Sequence, residues 1–92
     1  MRVVWTRTAI RDRGAIFDHI VEANPQVALR MDELFSDAAD RLAANPKLGA
    51  IGRVAGTREL IPHESYRLVY EISGEEVRIL AVVHTARRWP PV

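Results

Sequence analysis

Cysteine is absent from the 92 residues and lysine nearly so, since Lys47 stands alone beside twelve arginines. Without cysteine there can be no disulfide framework and no thiolate metal site, which suits a reducing compartment, although exported proteins also do without it. No apolar run approaches the ~20 residues that a membrane-spanning helix needs. The opening MRVVWTRTAI lacks a long apolar stretch followed by a small-residue cleavage site, so it does not read as a signal peptide. A soluble cytoplasmic protein with no membrane association is the expectation. Also missing are a glycine-rich phosphate loop, a Ser–His–Asp pattern and the ligand spacing of a zinc site. An ordinary metabolic enzyme is therefore not expected, nor a metal or cofactor, and His19 and His63 receive no role.

What is present describes one small globular domain over residues 1–92. The apolar share is 48% and the charged share 27%, enough to bury a core and too ordinary for disorder. A chain of this size buries roughly 60–65% of its unfolded surface, so each large core residue carries weight. The net charge is +1, which by itself demands no nucleic acid. The arginine bias points two ways. Arginine grips phosphate or carboxylate with a planar fork that lysine cannot imitate, yet a GC-rich gene would produce the same bias.

Taken in order, Arg2 to Trp5 is a short β-branched and aromatic run that reads as a strand. Thr6 or Thr8 can cap a helix whose apolar stripe runs from Ala9 to Val21, with the stem of Arg13 on the stripe and Asp12 near the positive end of the dipole. Gly14 weakens that helix and is expected where another backbone comes close. Asn24-Pro25 starts a second helix, which Asn45-Pro46 ends near Ala44. Two amphipathic helices on so short a link make an antiparallel hairpin. Three further strands follow, at Val54–Ile61, Tyr66–Ile72 and Val77–His84. The expected fold class is α+β: an N-terminal strand, a helical hairpin, then a three-stranded antiparallel sheet with a short C-terminal tail.

The link Ser73-Gly74-Glu75-Glu76 fixes a register, because glycine at the first central position suits a two-residue type II′ turn. Glu71 then faces Arg78, an opposite-charge pair, while Val69 faces Leu80 and Arg67 faces Val82. Alternation places Arg67, Val69, Glu71, Arg78, Leu80, Val82 and His84 on one side. It places Tyr66, Leu68, Tyr70, Ile72, Val77, Ile79, Ala81 and Val83 on the other, which is wholly apolar or aromatic and should receive the helices. A slip of one residue would exchange the two sides.

The segments VVWTRTAIRD, AANPKLG, GRVAGTREL, SYRLVYEI and VRILAVVHTARRWP, in that order, resemble the RelE/ParE superfamily, the toxins of bacterial type II toxin–antitoxin systems. The resemblance covers nearly the whole chain. It implies the same succession of strand, helical hairpin and sheet, and a cognate antitoxin whose flexible segment folds across the toxin to form a hetero-oligomer. The superfamily divides by target. RelE-like members resemble metal-independent endoribonucleases that cut mRNA on the ribosome, and Arg67 and Arg87 match the arginines of that branch's YRLVY segment and tail. ParE-like members resemble inhibitors of DNA gyrase with no cleavage chemistry, and the long hairpin and the H-x-x-R-x-aromatic-P ending look like that branch. This chain departs from the nuclease pattern in having Trp89 where a tyrosine follows the arginine, and in lacking a lysine-rich strand.

Cutting RNA without a metal needs a base near the 2′-hydroxyl, cations on the phosphate and an acid for the leaving oxygen. Histidine is suited to exchange a proton near neutral pH. The expected catalytic set is therefore Arg67, His84 and Arg87. Arg58 and Arg88 would complete the cationic clamp, and Tyr66 and Trp89 would stack on a splayed base. Plainer readings stand beside each: a histidine ending a strand is commonly structural, Arg67 can simply cover apolar surface or pair with an acid, and Arg87-Arg88 can be solvated tail. With both matched arginines in place, the expected activity is ribosome-dependent mRNA cleavage. Gyrase inhibition and a purely interacting module are the alternatives.

Overall fold

Strand β1 (Arg2–Trp5) leads into helices α1 (Arg7–Val21) and α2 (Pro25–Ala44), and four strands follow: β2 (Ala50–Ile51), β3 (Thr57–His63), β4 (Tyr66–Ser73) and β5 (Glu76–His84). The computed structural model describes residues 1–91. The helix boundaries have visible causes. The Thr6 side chain accepts from the Ala9 N–H at 3.2 Å and opens α1. Asn24 does the same for Val27 at 3.2 Å, and Pro25 occupies the first turn of α2, where a missing N–H costs nothing. The hairpin is then tied by Arg13, which donates to Asp32 Oδ1 at 2.6 Å, the Asp32 carbonyl at 3.0 Å and Ser36 Oγ at 2.7 Å. Its guanidinium also lies 4.7 Å from the Trp5 ring centroid, a cation–π contact linking the hairpin to β1.

The sheet has five strands in the order β1-β5-β4-β3-β2, and it is mixed. This corrects the expected three-stranded antiparallel sheet. β1 does not stand apart but pairs in parallel with β5, from Arg2 beside Glu76 to Trp5 beside Ile79. The two-residue β2 caps the opposite edge on β3. Parallel pairing needs a crossover, and the helical hairpin supplies it. β3 also begins later than read, at Thr57, because Gly56 sits in a turn with φ of +83°. Gly14, expected beside another backbone, meets nothing: a Cβ there would have open space. The glycines that do sit under a close approach are Gly49 and Gly52. The Gly49 N–H donates to the Tyr70 hydroxyl at 2.9 Å, and that hydroxyl donates to the Pro46 carbonyl at 2.7 Å.

The core lies between the hairpin and one sheet face. Phe35, Ala38 and Leu42 from α2 meet Leu68, Tyr70, Val77 and Ile79, all essentially excluded from solvent. The Gly74 turn forms as read, with Ser73 opposite Glu76 and Glu71 opposite Arg78. Past Tyr70–Ile79 the pairing shifts by one residue, so that Val69 faces Ala81, Arg67 faces Val83 and Tyr66 faces His84. Leu80 is the extra residue, a β-bulge. The expected sidedness of the end of β5 is therefore reversed. Val82 joins the core, His84 turns to the helix side beside Tyr66, and Arg67 remains on the outer face without it. The run Ile79-Leu80-Ala81-Val82-Val83 is apolar at both parities, so alternation alone could not locate the slip.

Candidate functional site

The site forms where β5 loses its neighbour. β1 stops at Trp5, and side chains take over from the missing strand. The Thr6 N–H donates to the Ile79 carbonyl at 3.0 Å, Thr6 Oγ1 donates to the Leu80 carbonyl at 3.2 Å, and the Val82 N–H donates to Asp12 Oδ2 at 3.1 Å. Asp12 thus serves an exposed sheet edge, not the start of its own helix as read. Beyond it, α1 and the C-terminal tail diverge around a cavity of about 610 Å³. One stripe of α1 lines it with Thr8, Asp12, Ala15, Ile16 and His19, at helical spacing. The sheet and tail contribute Tyr66, Val83, His84, Arg87, Arg88 and Trp89.

The tail is folded onto the ends of β4 and β5 and does not trail into solvent. The Thr85 N–H donates to the Ser65 carbonyl and Thr85 Oγ1 to the Glu64 carbonyl, both at 2.8 Å. The Arg87 N–H returns to the His84 carbonyl at 2.9 Å. His84 Nδ1 accepts from the Ala86 N–H at 3.1 Å, which in the neutral ring leaves the proton on Nε2. The His84 ring meets Tyr66 edge-on at 5.4 Å, and Tyr66 meets Phe35 edge-on at 5.9 Å, so the aromatic floor of the cavity continues into the core.

Five of the seven residues singled out in the sequence meet here: Tyr66, His84, Arg87, Arg88 and Trp89. The other two do not. Arg58 donates to the Gly49 carbonyl at 2.8 Å and the Lys47 carbonyl at 3.4 Å, lacing the loop after α2 at the far side of the sheet. Arg67 lies on the outer face, paired with Glu59 at 3.2 Å and donating to the Arg87 carbonyl. Asp12 and His19 belong to the cavity although no role was read for them there. The helical stripe through Thr8, Asp12, Ala15, Ile16 and His19 carried that signal.

Arg87 and Arg88 make no ion pair among the described residues, and one oxygen of the nearby Asp12 is engaged by Val82. The mouth of the cavity is therefore cationic over an apolar and aromatic lining. That arrangement can hold an acidic or phosphate-bearing surface. Among the described residues no cluster of His, Asp or Glu is placed to hold a metal, and no helix is long and apolar enough to cross a membrane.

Residues 3–89 match the family described as the ParE toxin of type II toxin–antitoxin system, parDE. Toxin RelE2 of Caulobacter vibrioides is 37% identical over 86 residues, covering 94% of this chain and 97% of the relative. Among solved structures, a chain of the chromosomal ParDE TA system from P. aeruginosa superposes with a TM-score of 0.80 at 30% identity, covering 91% of this chain and 95% of that one. The YoeB/ParE toxin from Agrobacterium tumefaciens shares the fold, with a TM-score of 0.65 at 21% identity over 91% of this chain and 98% of that one.

Proposed function

Since the chain belongs to the ParE toxin family of type II toxin–antitoxin systems, we propose that this toxin arrests growth by binding its target and not by cutting RNA, with DNA gyrase in the cytoplasm as that target. The observation that carries this reading is the bulge at Leu80. It puts His84 on the helix side of the sheet while Arg67 stays on the outer face, paired with Glu59. A phosphate held by Arg67 would lie across the sheet from His84, so one scissile group could not engage both. A cationic mouth over an aromatic floor suits a docking surface without requiring proton transfer. The cognate antitoxin neutralises the toxin by folding a flexible segment across it.

A second reading has one observation in its favour. Tyr66, His84, Arg87, Arg88 and Trp89 do share one cavity, as a ribosome-dependent nuclease would need. In that reading His84 and Arg87 act on the scissile phosphate from the helix side, and Arg67 contributes only if it leaves Glu59. The two readings separate in paired assays of purified toxin. DNA supercoiling by gyrase should fall with toxin concentration, while mRNA in a translating extract stays intact. Cleaved mRNA with unimpaired supercoiling would reverse the choice.

A further inference from the structure

Arg67 is the residue most readily taken for a phosphate ligand, yet both terminal nitrogens of its fork already have a partner. Nη1 donates to Glu59 Oε1 at 3.2 Å, and Nη2 donates to the backbone carbonyl of Arg87 in the tail. Nε is sealed from solvent without a partner. The Arg67 and Glu59 side chains are only 20% and 16% exposed, so an incoming phosphate would have to displace a partly desolvated carboxylate. Glu59 is anchored in turn, its second oxygen accepting from the Arg53 N–H at 3.2 Å. A continuous chain of polar contacts thus crosses the outer face from the Arg53 loop through Glu59 and Arg67 to the tail.

We propose that Arg67 is a positioning residue, acting with Glu59 as a strut that holds the C-terminal tail in place from the face opposite the cavity, and that it does not touch the toxin's target. The carbonyl it grips belongs to Arg87, which itself lines the cavity together with Arg88 and Trp89. Fixing that one carbonyl from behind sets where the tail's cations and indole stand relative to α1. Lysine carries all its donors on one nitrogen, so it cannot reach the Glu59 carboxylate and the Arg87 carbonyl from two separate nitrogens as the guanidinium does. The inference rests on the reading that the tail carries the target contact, but not on which target that is.

The test combines two measurements on the full-length toxin. The indole N–H signal of Trp89 in 15N-labelled toxin alone, with Trp5 as internal reference, reports tail placement with no target present. It should shift in Arg67→Lys and Glu59→Gln, both milder than alanine and expected to fold. Growth arrest on induction should then be compared in a cycle of Arg67→Lys, removal of residues 87–92, and the two combined. Arg67→Lys should weaken arrest about tenfold, and the combined variant should be no worse than the tail deletion alone, the mark of residues acting as one unit. Three results overturn the proposal: an unmoved Trp89 signal in Arg67→Lys, a combined loss equal to the product of the single losses, or full arrest by the tail-less toxin. The first removes the strut whatever the target. Failure to inhibit gyrase would instead remove the function proposed above and leave the strut standing.

Discussion

The two halves of β5 make opposite uses of the same kind of sequence. From Glu76 to Ile79 the strand is paired on both sides, by β1 and β4, and its inward residues Val77 and Ile79 are fully buried. From Ala81 to His84 it keeps only β4, and its other edge is served by the Asp12 side chain and then opens on the cavity. The Leu80 bulge is the boundary. Closed pairing on one side of it stabilises the domain, and incomplete pairing on the other leaves backbone, cations and aromatics available to a partner. Bulges commonly re-aim side chains beside functional sites in this way.

The contrast can be broken first in its rigid half. Ile79→Ala removes a fully buried side chain from the core under the helical hairpin and should cost roughly 2–5 kcal/mol in urea unfolding. A loss under about 1 kcal/mol would mean that this half is not the stabilising one. Gly49→Ala tests the other end of the core. A Cβ there would come within 2.8 Å of the Glu59 carbonyl and the Tyr70 ring, so a loss of roughly 1–3 kcal/mol is expected by the same measurement. At the open half, Asp12→Ala leaves the Val82 N–H without its partner and should cost about 1 kcal/mol, with faster hydrogen exchange confined to Val82 and its neighbours. Asp12→Asn keeps an acceptor and should lose less. The smallest effect has the opposite sign. Gly14 lies inside α1 with open space where a Cβ would go, so Gly14→Ala should raise stability by up to ~1 kcal/mol, seen as a higher urea midpoint.

The contrast also marks what could be read from the residues. The Asn24 cap, the Pro25 start, the Gly74 turn and the Glu71–Arg78 pair follow from local chemistry, and all appear in the structure. Gly74 has φ of +60° and Glu75 keeps a negative φ, as a type II′ turn requires. The parallel pairing of β1 with β5 was not legible. It joins segments more than seventy residues apart and leaves no mark in either one. The bulge at Leu80 was hidden for a different reason: with aliphatic residues at every position from Ile79 to Val83, both registers bury apolar surface, and only the helix packed above decides between them. That slip set the side on which His84 falls. Five of the seven residues named from the sequence therefore line one cavity, while Arg67 and Arg58 fall outside it. Arg67 pairs with an acid, one of the plainer readings open to it, and Arg58 is held by backbone carbonyls, because a sequence does not show which carbonyls and carboxylates hold a given arginine.

The central claim is that the open half of β5 and its tail act by binding, through Arg87 and Arg88. The direct measurement is a dose series of purified gyrase supercoiling against wild-type toxin and the double variant Arg87→Glu, Arg88→Glu. Both arginines are exposed and free of ion pairs among the described residues, so the variant should unfold within about 0.5 kcal/mol of wild type. Wild-type toxin should abolish supercoiling, and the equally stable double variant should leave it intact at saturating concentration. Equal inhibition by both proteins, or none by either, would contradict the account.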